Sequence, residues 1–192
     1  VVLELTGHLD LAALGQALDD VVGRHEVLRT IYLDTDGEPW QLVLDHAPVL
    51  LESTRASASE VEDVVSGFVR RGFDVTASVP MRVAVVAIDP DGVDDPHGPD
   101  NRDAHDDREG THGRFLLVLV VHHIAGDGQS MAPLARDVMM SYAARIAGAE
   151  PTWEPLAVQY ADYALWQRNM LGSADDPTSL MHAQLDFWRS TM

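Results

Sequence analysis

Phe115-Leu116-Leu117-Val118-Leu119-Val120-Val121-His122-His123-Ile124-Ala125-Gly126-Asp127-Gly128-Gln129-Ser130 is the stretch whose reading decides the fold. Its apolar run, Phe115 to Val121, is that of a buried central strand. The run stops at two adjacent histidines and a glycine-rich turn. From Gln129 onward, Met131, Leu134, Val138 and Tyr142 recur at helical spacing. Adjacent residues on a strand face opposite ways, so His122 and His123 are expected to differ, one turned into the fold and one toward an opening. Taken singly, each polar residue has an ordinary explanation: a histidine is most often a satisfied polar group, and Asp127 suits a helix N-cap.

Around this stretch lie 192 residues with a formal charge of −18, from 31 acidic and 13 basic residues, and no cysteine. That length supports one substantial core. No apolar run approaches the ~20 residues of a membrane-spanning helix, and Glu4, His8 and Asp10 interrupt the N-terminal stretch where a signal peptide would be apolar. The absence of cysteine excludes disulfides, thiolate nucleophiles and Cys-based zinc sites, and fits a cytoplasmic protein. The acidic excess argues against nucleic acid as a partner. The chain opens in a strand-like run and closes on a helix, which reads as a fragment of something longer.

Taken in order, Val1–Leu5 is a predicted strand closed by Thr6-Gly7, and Asp10 caps a helix with the apolar face Leu11, Leu14, Leu18, Val21 and Val22. Arg24-His25-Glu26-Val27-Leu28-Arg29-Thr30 leads into a strand, and Asp36-Gly37 turns it back as a hairpin. Ser59-x-x-Glu62 is a candidate capping box for a helix to about Arg71, and Met81–Ile88 is another strand. Between residues 89 and 112, nine residues are Asp or Glu and almost none is apolar, so the segment is expected to be a long, mobile, solvated insertion between neighbouring strands. A weak metal site at His97, His105 and His112 is a lesser reading, since no regular scaffold joins them. A helix over 156–171, opened by Pro155, carries Tyr160 to Gln167. A last helix, capped at Asp176-Pro177, carries Leu180, Ala183 and Phe187. Mixed in this way, the elements predict an α/β sandwich, a mixed β-sheet with packed helices.

Four stretches, in order, resemble the motifs of the condensation domains of nonribosomal peptide synthetases, whose fold is related to that of chloramphenicol acetyltransferase. They are Arg24-His25-Glu26-x-Leu28-Arg29-Thr30; Arg70-Arg71-x-Phe73-Asp74 with Pro80-x-Arg82; His122-His123-x-x-x-Asp127-Gly128 with Ser130; and Tyr160-x-Asp162-Tyr163-Ala164-x-Trp166-Gln167. The family's first and later motifs have no counterpart, so the resemblance implies an N-terminal lobe spanning residues 1–192, without its C-terminal lobe.

The resemblance implies amide-bond formation between a donor thioester and an acceptor amine, both borne on carrier proteins. No cofactor is bound directly; the phosphopantetheine arms arrive on those carriers. The partners implied are donor and acceptor carrier domains, the second lobe and an adjacent adenylation domain, with neither membrane nor nucleic acid. The catalytic histidine maps to His123, expected to open to solvent, with His122, Asp127 and Gly128 in support. Asp127 is expected to pair with Arg24 or Arg29. Gln129, which stands where the family often has tryptophan, and Ser130, Tyr160 and Trp166 are candidates for the substrate channel. Core packing is nevertheless the favoured reading of the Tyr160–Trp166 aromatics. Arg70 and Arg71 suit a solvated helix end or a phosphate. Ile124-Ala125-Gly126 and the segment from Leu171 to Leu180 resemble domains that join an L-donor to an L-acceptor. The alternatives are an epimerisation domain, which shares the histidine motif, and a non-catalytic module that docks carriers or recruits partner enzymes. Alone, the chain is expected to fold but not to catalyse.

Overall fold

The run Phe115–Val121 forms the inner part of an 11-residue strand, Thr111–Val121, inside a four-stranded sheet. The computed structural model describes residues 1–89 and 111–192. They divide into a unit Val1–Glu154 and a unit Pro155–Met192. In chain order the first unit contains β1 (Val2–Leu9), α1 (Leu11–Arg24), a 3-10 turn (Glu26–Arg29), β2 (Thr30–Thr35), β3 (Glu38–Val43), β4 (Leu51–Ser57), α2 (Val61–Val69), β5 (Met81–Asp89), β6 (Thr111–Val121) and α3 (Gly128–Ile146). The sheet order is β1-β6-β5-β4. β4 and β5 run parallel and the other pairs antiparallel, so the sheet is mixed and the fold is α/β, as expected.

β5 and β6 occupy the centre because both are continuous apolar runs that can be buried on two faces. On one face Val83, Val85, Leu117 and Leu119 pack against Leu14, Leu18 and Val21 of α1 and Leu134 and Val138 of α3. On the other, Ala84 and Val118 meet Phe68 of α2. Each fully buried Leu or Val contributes roughly 1.5–3 kcal/mol. Polar contacts then fix α1 beside α3: Asp20 accepts from Arg145 at 2.7 and 2.5 Å and from the Ser141 hydroxyl at 2.6 Å. Burial alone would raise the Asp20 carboxyl, but the bonds from Arg145 and Ser141 hold it below the ordinary range.

Several sequence expectations are corrected here. β1 does not close at Thr6-Gly7 but runs to Leu9, because Gly7, at φ 110°, carries the ladder through opposite Gly113. β4 was not anticipated: its sequence, LESTRAS, is polar and sits at the sheet edge, where only Ala56 is buried. The Ser59–Glu62 capping box does not form. Instead Glu60 is the N-cap position of α2, and its carboxylate accepts from the backbone N–H and hydroxyl of Ser57. The hairpin matches its reading, with Asp36 and Gly37 at φ 56° and 86°. β5 and β6 are neighbours, as the insertion reading required. The insertion itself, with His97, His105 and the side chain of His112, lies outside the described residues.

The second unit contains α4 (Tyr160–Leu171) and α5 (Leu180–Thr191). α4 starts later than the expected residue 156, because the pair Gln159 and Asp162 forms the capping box there. α5 is capped not by Asp176-Pro177 but by Ser179, whose hydroxyl oxygen accepts from the His182 N–H. Asp176 instead closes a turn onto Thr178. Neither helix buries a residue: Tyr160 is 55% and Trp166 56% exposed, against the core-packing expectation, and Leu180 and Phe187 are likewise exposed. Tyr163 stacks between Tyr160 and Trp166, at centroid distances of 5.8 and 5.7 Å.

Candidate functional site

β6 ends at Val121, so the two histidines stand just past the strand, in the turn before α3. One further ladder-like bond, from the His122 N–H to the Pro80 carbonyl at 2.9 Å, ties that turn to the start of β5. The turn is closed by the Ala125 N–H donating to the His122 carbonyl at 2.9 Å. His122 is half-buried and His123 exposed. The difference expected from strand alternation therefore arises from turn geometry instead.

The two imidazoles are held in opposite tautomers. His122 Nδ1 accepts the Ile124 N–H at 3.0 Å, so the neutral ring carries its proton on Nε2. His123 Nδ1 lies 2.9 Å from the Gly126 carbonyl oxygen, which can only accept. His123 therefore carries its proton on Nδ1 and leaves the Nε2 lone pair free. Among the described residues that Nε2 has no partner. His122 is further fixed by an edge-on contact with Phe73, at 5.7 Å between centroids. The Arg82 guanidinium also lies over the Phe73 ring, 3.9 Å from its centroid. Arg82 donates to the Gly72 carbonyl at 2.7 Å and to the Arg71 carbonyl. Burial, with Arg71 nearby, pulls its pKa down. Thus the Phe73–Arg82 stretch backs the histidine turn.

Asp127 is the N-cap of α3. Its Oδ1 accepts from the N–H groups of Gln129 and Ser130, each at 3.0 Å, and from the Ser130 hydroxyl at 2.8 Å, while the Ser130 oxygen accepts the Asp127 N–H at 3.1 Å. The Ser130 hydroxyl above all, then its N–H, holds the Asp127 carboxyl below the ordinary range. The expected pair with Arg24 or Arg29 is not formed, since a cap this complete uses the carboxylate locally. At Gly126 a side chain would meet Ser130 Cβ at 3.3 Å, whereas nothing lies within 4 Å of a Cβ at Gly128. Gln129 is exposed beside that open space.

Arg24 and Arg29 work elsewhere. Arg29 donates to the Leu44 carbonyl and to Glu26. Arg24 Nε donates to Asp137 Oδ2 at 3.1 Å, and its guanidinium lies 4.9 Å from the Trp153 ring centroid. Asp137, on α3, is the acid that sequence reasoning missed. It is 2% exposed. His25 Nε2 reaches the same Oδ2 at 2.8 Å, and Arg136 donates to Oδ1 at 3.1 and 3.0 Å. Burial would raise its carboxyl, but the bonds and charges of His25 and Arg136 win and hold it low. The signal was present: Leu134, Asp137, Val138 and Ser141 form one helical stripe, and an acid on a buried stripe demands cationic partners. Structure thus brings together His122, His123, Asp127, Gly128, Gln129 and Ser130, and joins the Arg24-His25 motif to the helix they open. Tyr160 and Trp166 belong to the second unit. Among the described residues no cluster of His, Asp and Glu is arranged to hold a metal ion, and no helix is long and apolar enough to cross a membrane.

Comparison with known proteins accords with this geometry. The family model described as "Condensation domain" matches residues 1–93 and 109–192. The chain is 43% identical over 190 residues to a probable non-canonical nonribosomal peptide synthetase, CymA, of Salinispora arenicola (strain CNS-205), covering 99% of this chain and 2% of that protein. It is 42% identical over 194 residues to a dimodular nonribosomal peptide synthase of Bacillus subtilis (strain 168), covering 100% of this chain and 7% of that protein. The chain therefore spans only a small part of these relatives. Among solved structures, the X-domain in complex with OxyB from teicoplanin biosynthesis superposes with a TM-score of 0.82 at 34% identity, over 99% of this chain and 37% of that one. With the family model matched along nearly its whole length, the chain belongs to the condensation-domain family of nonribosomal peptide synthetases.

Proposed function

We propose that this chain is the N-terminal lobe of a condensation domain and contributes the histidine wall of a site that forms an amide bond between two carrier-borne substrates. The observation that carries the reading is the free, outward Nε2 of His123, fixed by the bond from Nδ1 to Gly126. In the proposed step the acceptor's amine nitrogen attacks the donor's thioester carbonyl. The C–N bond forms, the C–S bond breaks, and the amine proton passes by way of His123 Nε2 to the departing thiolate. His122, Asp127 and Gly128 shape the turn; Arg24 and Arg29 stabilise the surrounding elements without touching Asp127. Gln129, Ser130, Tyr160 and Trp166 are proposed to face the substrate arms.

On this reading the partners are donor and acceptor carrier domains with their phosphopantetheine arms, a second lobe and a neighbouring adenylation domain, in the cytoplasm. The pairing proposed is L-donor with L-acceptor. Alone, the chain folds but forms no product, because a single wall does not hold both arms in near-attack geometry. A second reading, a partner-docking module, draws on one observation: a solved relative at 34% identity is an X-domain complexed with OxyB. The two separate in the intact parent synthetase. With both carriers loaded, mass spectrometry should detect condensed product with wild type and none above background with His123→Ala. Product that persists in the variant contradicts the catalytic reading, and wild type that binds its carriers without condensing them favours the docking one.

A further inference from the structure

Across the face of the sheet that α2 covers, cations and aromatic rings alternate in a row. Glu52, on the edge strand β4, accepts from Arg71 at 2.7 Å. The Arg71 guanidinium lies 4.4 Å from the Phe68 ring centroid, and that of Arg82 lies 5.9 Å from the same ring. Arg82 also sits 3.9 Å from the Phe73 centroid, and Phe73 meets His122 at 5.7 Å with the ring planes 81° apart. In register Arg82 pairs with Val120, one alternation on from the Ala84–Val118 pair that packs against Phe68, so Arg82 shares that face. The row thus leads from the sheet edge to the histidine turn.

Arg82 is placed to orient rather than to neutralise. It donates to the Gly72 carbonyl at 2.7 Å and to the Arg71 carbonyl, the two carbonyls just ahead of Phe73. One planar guanidinium therefore grips the backbone that leads into Phe73 while it covers the Phe73 ring. Its Nε is buried and has no partner among the described residues, a cost that an apolar side chain would avoid. What the position uses is the fork and the flat face, which arginine has and lysine lacks.

We infer that Arg82 and Phe73 are positioning residues for His123, acting through His122. The Phe73 ring holds the His122 imidazole where its Nδ1 accepts the Ile124 N–H at 3.0 Å, and the His122 carbonyl accepts the Ala125 N–H at 2.9 Å. Those two bonds fix the turn that sets the Gly126 carbonyl 2.9 Å from His123 Nδ1. Without the ring, His122 rotates away from Ile124, the Gly126 carbonyl loses its fixed place, and the His123 proton exchanges between the two nitrogens. Among the described residues no hydrogen bond or ring contact joins Arg82 or Phe73 to His123 itself. This role rests on the reading of His123 as the group that handles the amine proton.

The first test reads the tautomer alone, by ¹⁵N spectra of the 192-residue chain at alkaline pH. Wild type should show His123 with a protonated Nδ1 and a bare Nε2, its signals assigned by their loss in His123→Gln. Phe73→Leu should draw the two shifts together at an unchanged circular dichroism spectrum. Arg82→Lys, which keeps the charge but not the fork, should do the same. Phe73→Tyr should restore the wild-type pattern. The second test is the rate of amide formation in the intact parent synthetase with both carriers loaded. Phe73→Leu should slow that step by about ten- to a hundredfold, as misplacing a reacting group does. In a His123→Ala background it should add no further loss, because a residue that acts only through His123 has nothing left to position. A wild-type ¹⁵N pattern in both Phe73→Leu and Arg82→Lys would overturn the inference. So would an equal loss of rate in both backgrounds, which marks a merely structural role. A His123→Ala enzyme as fast as wild type would overturn the underlying reading and the rate effect with it, an outcome told apart because it appears without any change at Phe73.

Discussion

The Nδ1 of His123 lies 2.9 Å from the carbonyl oxygen of Gly126, three residues ahead in the same turn. That bond decides which nitrogen of an exposed imidazole carries the proton and which offers a lone pair. In His122, next in sequence, Nδ1 instead accepts the Ile124 N–H. Neighbouring histidines are thereby given opposite hydrogen-bonding characters by the backbone of one turn, and the difference requires no charged partner.

His122 is expected to act through packing. His122→Ala removes the edge contact with Phe73 and leaves the Ile124 N–H without its acceptor. It should lower stability by about 1–2 kcal/mol, measured by urea unfolding of the chain. A variant as stable as wild type would show that the Phe73 contact does not hold the turn.

Asp137 should matter more to the fold than Asp127. Asp137→Ala strips a buried carboxylate from His25, Arg24 and Arg136 and should cost ~3–5 kcal/mol, as the loss of a buried charge partner does. Asp127→Ala removes only an exposed helix cap, so its loss should be distinctly smaller in the same unfolding measurement. The reverse order would mean that the cap, not the Asp137 cluster, anchors α3.

Acid should probe the same carboxylates. Asp137 and Asp20 are both held below their ordinary value of 3.8. A folded-state value below the unfolded one stabilises the fold above about pH 4, and this contribution disappears as the pH falls through the folded value. The unfolding free energy of wild type should therefore drop below about pH 4, and Asp137→Asn should show a shallower drop. Parallel profiles would remove Asp137 from the account of acid stability.

At the cap, Ser130 is the main cause of the low Asp127 carboxyl. Ser130→Ala should move the Asp127 titration, followed by carboxyl NMR shifts, up toward the ordinary range. An unmoved titration would assign the effect to the backbone N–H groups of the helix end instead.

Much of this arrangement was legible in the residues. The apolar runs of β5 and β6, the Asp36-Gly37 turn and the Asp10 cap each carry a strong local signal, and the structure keeps all of them. What escaped were features decided by partners distant in sequence. β4 looks polar because one parallel neighbour and an exposed edge ask little of its side chains. The Asp127 partner was misjudged because the motif names residues without their bonds: Ser130 satisfies the carboxylate from three residues away, whereas Arg24 is drawn to Asp137, 113 residues on. The exposed aromatics of α4 show the same limit, since helical spacing describes a stripe but not what covers it.

The proposal that His123 handles the amine proton is tested most directly by the single-turnover rate of amide formation in the intact parent synthetase, with both carriers fully loaded. His123→Ala should slow that step by about 10²–10⁴-fold, the usual share of a positioned acid–base group, while carrier loading is unchanged. His122→Ala should slow it less, through the disturbed turn. A His123→Ala rate within about threefold of wild type, far short of the usual acid–base share, would contradict the proposal and move the chemistry away from this turn.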